Sequence, residues 1–163
     1  MPEPSQIDVV ELEGLPPLCA EDTSIDDKGR LKFPKSFQRY WGITERSTYY
    51  CGTYNLKTAI LYNNADLYEF KQQLELQLGP VKAAPLIFNL EKFGGYSKVD
   101  AEGRLTLPGG VKELLDLNSK QRVYLRFRKK RIEIVREADY EVEFQRQKLN
   151  LGESLALFEA AGL

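Results

Sequence analysis

The sequence has no histidine and only two cysteines, Cys19 and Cys51, which stand far apart and outside any CxxC spacing. The first absence excludes Ser–His and Cys–His catalysis, histidine metal sites and the usual near-neutral proton shuttle. The second leaves neither a zinc site nor a redox pair readable. No run approaches the roughly 18 apolar residues of a membrane span, and Walker-type and dinucleotide-type glycine motifs are missing. Gly94-Gly95 and Gly109-Gly110 are isolated pairs that read as turns. The chain opens Met1-Pro2-Glu3-Pro4, without the basic and then apolar pattern of a secretory leader. Together these predict a cytoplasmic protein with reduced, buried thiols and no metal, cofactor or membrane partner. Carboxylates such as Asp26–Asp27 and Asp100–Glu102 flank turns, but no nucleophile or metal set accompanies them, so an enzyme is the weakest reading.

What is present is enough for a folded core: 42% of the 163 residues are hydrophobic, and a chain of this length buries about 70% of its unfolded surface. The net charge of −1 argues at first sight against nucleic acid. Its distribution reverses that. Residues 1–23 carry six acids and no cation, residues 24–136 carry 21 cations against 12 acids, and residues 137–163 carry two cations against six acids. The middle of the chain is basic and its ends are acidic.

A repeat organises that basic middle. Ile25-Asp26-Asp27-Lys28-Gly29-Arg30-Leu31-Lys32-Phe33-Pro34 returns 74 residues later as Val99-Asp100-Ala101-Glu102-Gly103-Arg104-Leu105-Thr106-Leu107-Pro108, and the match continues ungapped through Trp41/Leu115, Cys51/Leu125 and Ile60/Ile134. Each copy predicts a tight Asp-x-x-Gly-Arg turn between two short strands, with glycine supplying the backbone conformation other residues resist. Short helices follow at 35–41 and 109–117, entered through Pro34 and Pro108 and closed by Gly42 and Asn118. A hairpin comes next: Thr48–Thr53 with Thr58–Tyr62 in copy one, and in copy two the alternating strand around Val123, Leu125 and Phe127 with Ile132–Val135. A longer helix ends each copy, from Asn64 as N-cap to about Gln77, and from about Glu137 to Leu149. The expected organisation is therefore an acidic, proline-spotted arm (1–17), a first repeat (18–78), a linker (79–95), a second repeat (96–149) and a tail (150–163). That tail can form one short helix through Leu155, Leu157 and Phe158, suited to docking on a neighbour.

A duplication separates structural from functional positions. Residues shared by the copies (Asp26, Gly29 and Pro34; Asp100, Gly103, Arg104 and Pro108) read as what the turn requires, with Asp26–Arg30 and Asp100–Arg104 bracing it. Residues that differ are the functional candidates. Copy one has Lys28, Lys32, Lys35 and Arg39 where copy two has Glu102, Thr106, Gly109 and Glu113. With Arg30, residues 28–39 hold five cations and no anion, a run expected to gather at one end of the module and meet phosphates. A second basic run at 120–136 reads first as a strand face paired with Glu137, Asp139, Glu141 and Glu143, and second as a nucleic-acid contact.

The doubled motif Asp-x-Lys-Gly-Arg-Leu-x-x-Pro and Asp-x-x-Gly-Arg-Leu-x-x-Pro, each followed by helix, hairpin and helix, resembles the MraZ family over about residues 20–148. Those proteins are tandem versions of the AbrB swapped-hairpin module. The resemblance implies an α+β fold in which two AbrB-like repeats interleave their hairpins into one pseudo-dimeric β-barrel with flanking helices. It also implies a bacterial, nucleoid-associated transcriptional regulator of cell-division and cell-wall genes. Its partners would be double-stranded promoter repeats and further copies of itself, in a ring, with no membrane. On this sequence the implied DNA-binding positions are Lys28, Arg30, Lys32, Lys35 and Arg39. The alternative is an AbrB-fold protein-interaction or antitoxin-like module with little DNA binding.

Overall fold

The computed structural model describes residues 15–163, so most of the acidic arm expected at 1–17 lies outside the described residues. Copy one contributes β1 (Glu21–Ser24), β2 (Arg30–Lys32), α1 (Lys35–Trp41), β3 (Thr48–Gly52), β4 (Ala59–Tyr62) and α2 (Asn64–Leu78). A further helix, α3 (Pro80–Phe93), joins it to copy two, which supplies β5 (Gly95–Lys98), β6 (Arg104–Thr106), α4 (Gly109–Leu114), β7 (Arg122–Arg128), β8 (Arg131–Arg136) and α5 (Glu137–Ala160).

The strands pair across the copies. The main sheet runs β1-β7-β8-β4-β3-β5 and a separate ribbon pairs β2 with β6. Each pairing has its counterpart 74 residues on: β1 lies on β7 as β5 lies on β3, while β4 and β8 meet at the centre. The sequence of strands is therefore a palindrome about the β4–β8 contact. Within each copy the alternating apolar residues of the hairpin point to one shared interior. Ile25, Phe33, Phe37, Cys51 and Leu61 of copy one pack with Val99, Leu107, Val111, Leu125 and Ile134 of copy two. The main core is thus built by both copies, and a smaller cluster of Tyr50, Ile60 and Tyr62 with Leu90 lies on copy one alone.

The expected closed barrel is not formed. The six-stranded sheet stays open, with β1 and β5 as its edges. Both are four residues long and alternate between half-buried and exposed positions. They run on into the β2–β6 ribbon instead of pairing with each other, and that ribbon takes the place of a closing seam.

Five local expectations also change. The stretch 79–95 is mostly helix. Pro80 fits a first helical turn, and Ala83, Leu86, Ile87 and Leu90 recur at helical spacing, so the exposed Pro85 is tolerated once that face packs. This helix covers the outer face of the sheet, where the Tyr50 hydroxyl donates to the Leu90 carbonyl at 2.7 Å. Asn63, not Asn64, caps α2, its side chain accepting from the Asp66 amide at 2.9 Å. Helix α4 ends near Leu115 instead of reaching Asn118, because Asp116 takes the left-handed conformation (φ 52°) that Gly42 takes at the matching end of α1 (φ 61°). The last helix does not break at Leu149 but continues to Ala160. Of the two thiols, Cys51 is buried and Cys19 is exposed, which corrects the expectation that both are covered.

The second basic run is largely neutralised within the molecule. Glu133, 5% exposed, receives Arg126 at 2.9 Å, Arg128 at 3.2 Å and Arg131 at 3.5 Å. Glu143 of α5 takes a second bond from Arg126 at 2.9 Å, and Asp139 holds Arg136 at 2.7 Å. Arg122 pairs with Asp22 at 3.5 Å and Lys130 with Glu69 at 2.8 Å. A buried carboxylate serving several guanidiniums is costly to neutralise singly. Glu133→Gln is expected to lower unfolding free energy by about 3 kcal/mol, read as a lower urea midpoint with an unchanged slope.

Candidate nucleic-acid interface

The two Asp-x-x-Gly-Arg turns have the same internal bonding. In copy one the Asp26 carboxylate accepts the Lys28 amide at 3.0 Å, the Arg30 amide at 2.9 Å and the Arg30 Nε at 2.6 Å. Asp100 does the same with Glu102, Arg104 and the Arg104 Nε at 3.0, 2.9 and 2.8 Å. Gly29 and Gly103 adopt φ of 73° and 75° to let the chain turn back on the carboxylate. Around Asp26, loss of solvent works against ionisation. The Arg30 and Lys28 hydrogen bonds outweigh it and hold the carboxyl below its ordinary value of 3.8.

From each turn the chain enters the β2–β6 ribbon. Leu31 and Leu105 face the core, so Arg30 and Lys32 share the outer face with Arg104 and Thr106. Arg30 stands opposite Thr106, and Lys32 stands opposite Arg104. Lys28 is exposed at the turn and Lys35 at the start of α1; Arg39 lies one turn later on the same helix face. Among the described residues, Lys28, Lys32, Lys35 and Arg39 have no ion pair, whereas Arg30 is held by Asp26 at 2.6 Å.

The strand exchange spreads these cations out. Gly29 accepts the Leu107 amide at 2.9 Å, and Gly103 accepts the Phe33 amide at 3.0 Å. Each turn thus sits against the other copy's helix entrance, not its own. Lys28 and Lys35, neighbours in the basic run, lie toward opposite ends of the ribbon. The expected cluster at one end becomes a basic ridge along the ribbon.

The same exchange brings in a residue of copy two that the sequence does not mark as a candidate. Lys112 of α4 lies over the first turn: a Cβ built on Gly29 would stand 3.0 Å from its Nζ and 3.1 Å from its Cδ. The residue 74 positions earlier, Gln38, lies over the second turn, its Nε2 2.9 Å from the matching Cβ position on Gly103. The first turn therefore gains a cation from the other copy, and the second gains a neutral amide. The second turn also carries Glu102, which binds Arg104 at 3.2 Å. The Gln38/Lys112 mismatch is present in the sequence, but it has meaning only once α4 is known to cross over.

The chain is 32% identical over 99 residues to the transcriptional regulator MraZ of Koribacter versatilis (strain Ellin345), an alignment that takes in 58% of this chain and 66% of that protein. The chain belongs to the MraZ family. No family model matches it. The relative is named as a transcriptional regulator and not as an enzyme. No helix among the described residues is long and apolar enough to cross a membrane.

Because Asp26 is held below its ordinary value, its contribution to stability is complete above 3.8 and is lost as pH falls through the lowered folded value. Asp26→Asn is expected to unfold at lower denaturant than the parent at pH 7. That difference should close when both are measured below the folded value.

Proposed function

We propose that this chain is a transcriptional regulator that binds duplex DNA sequence-selectively, as an oligomer, through the basic ridge of the first turn and the β2–β6 ribbon. The fold is read as two AbrB-like repeats that exchange hairpins. The single observation that carries the reading is the charge contrast between two otherwise equivalent turns. One presents Lys28 with Lys112 beside it, and the other presents Glu102 with Gln38. A fold needing cations for its own stability would place them in both copies.

Lys28, Lys32, Lys35 and Arg39 are unpaired among the described residues and available to phosphates. Arg30 contributes differently: braced by Asp26, its guanidinium leaves the ribbon face in a fixed direction, which suits a bidentate contact to a base edge or phosphate better than a mobile lysine does. A single ridge of this size supplies modest, salt-sensitive affinity, and several copies engaging repeated promoter sites multiply it. The regulated genes are those of cell division and cell-wall synthesis, and the place of action is the bacterial nucleoid.

The test is titration of a duplex from immediately upstream of the chain's own gene at several salt concentrations. Lys28→Ala with Lys112→Gln is expected to weaken binding and reduce the slope of log affinity against log salt by about 0.9 for each phosphate no longer neutralised. Glu102→Ala, on the other turn, is expected not to weaken it. Parent-like binding and slope in the Lys28/Lys112 variant would reject the assignment of the ridge.

A further inference from the structure

The acidic arm has no part in the function proposed above. Residues 1–14, outside the described residues, hold Glu3, Asp8, Glu11 and Glu13 and no cation. Among them, Ile7-Asp8-Val9-Val10-Glu11-Leu12-Glu13 sets four apolar residues between three acids. Such a segment is best matched by a surface that is apolar and positively charged at once.

The path of the chain leads to such a surface. β1 runs antiparallel to β7, with Ser24 opposite Arg122 and Glu21 opposite Leu125. Traced back from Glu21, the chain therefore heads along β7 toward the β7–β8 turn. Leu18 and Ala20 border a hollow there with Phe127, Arg128 and Lys129. Lys129 and Arg131 border this hollow and also a groove of about 340 Å³ between α2 and the turn.

Phe70, Leu74 and Leu78 line one wall of the groove, and Lys129 and Lys130 the other. The Arg131 guanidinium is fixed at 5.5 Å from the Phe70 ring centre and 3.1 Å from the Tyr62 hydroxyl. The acids of the groove are already engaged: Glu69 holds Lys130 at 2.8 Å, and Asp66 accepts the Asn63 side-chain amide at 2.7 Å. Lys129 is exposed and has no ion pair among the described residues. Five residues separate Leu18 from Glu13 and can span about 18 Å, so the arm reaches the groove without strain. Residues 7–13, extended, measure about 23 Å, against about 18 Å for α2 from Asp66 to Leu78.

We infer that residues 7–13 dock in the α2/β7–β8 groove of their own chain, apolar side chains on Phe70, Leu74 and Leu78 and acids toward Lys129. A short tether holds the arm at an effective concentration on the order of millimolar, which favours the chain's own groove over another's. The docked arm covers the tip of the second basic run and leaves the β2–β6 ridge bare. The inference does not rest on the DNA reading.

The test is thiol labelling of the full chain, without DNA, in a Cys19→Ser background where the remaining Cys51 is buried. Leu78→Cys, at a position 44% exposed, reports access to the groove. Its labelling is expected to accelerate several-fold when Ile7→Lys/Leu12→Lys is added, and likewise with Lys129→Glu. The slow rate with the intact arm is expected to stay the same on dilution. Should Leu78→Cys lose its far-UV circular dichroism, Gln77→Cys, exposed on the same wall, replaces it. Equal rates with the intact and the altered arm overturn the proposal, as does a rate that Lys129→Glu leaves unchanged. Protection that fades on dilution also overturns it, in favour of a groove filled by a second copy.

Discussion

The structure depends on the pairing of strands between the two copies. β1 lies on β7, β5 on β3, β2 on β6, and β4 meets β8 at the centre, so each copy completes its sheet with the other's strands. Hairpins of four to seven residues cannot bury a core alone, and a two-stranded hairpin is at best marginal in water. Interleaving solves this by placing apolar residues of both copies in one interior. The polar consequences follow from the same pairing. It places each Asp-braced turn against the helix entrance of its partner copy, while copy two's own β7–β8 hairpin gathers three arginines around Glu133.

That geometry lets a duplicated module become asymmetric without losing its fold. The shared positions keep doing identical work: Asp26 and Asp100 fold their turns through matched sets of hydrogen bonds. The positions free of that duty have diverged in charge. Because turns and helices cross over, a change in α4 alters the surface of the first turn, and a change in α1 alters that of the second. Lys112 and Gln38 are the two outcomes. At the outer faces, α3 covers copy one through Tyr50 and Leu90, while α5 meets copy two only along its first turns. The chain is thus closed on one side and open on the other.

Much of this is legible in the sequence. The ungapped offset of 74 residues marks the duplication, the glycines mark the turns, and the alternation of Val123, Leu125 and Phe127 marks the hairpin. These are local signals, set by backbone preference and by which side of a strand faces water. What is not legible is non-local. Nothing in residues 28–39 says that Lys28 and Lys35 lie toward opposite ends of a ribbon, or that Lys112 joins Lys28, because that depends on which strand pairs with which. The open sheet is hidden for the same reason: closure depends on where the edges β1 and β5 lead. Helix α3 is masked by Gly79-Pro80 and Pro85, which punctuate the sequence more strongly than the spacing of Ala83, Ile87 and Leu90 advertises a helix. Membership of the MraZ family agrees with the motif that suggested it.

The central claim is that two equivalent turns, made unlike by charge, give the molecule one DNA-facing side that draws on both copies. Backbone amide chemical shifts followed by NMR while the chain's own upstream duplex is added test this most directly. The largest changes are expected at Lys28–Lys35 and at Lys112, residues far apart in sequence and joined by the strand exchange, with little change at Ala101–Glu102. Changes centred on Ala101–Glu102, or on the β7–β8 hairpin around Arg128–Lys130, would contradict it.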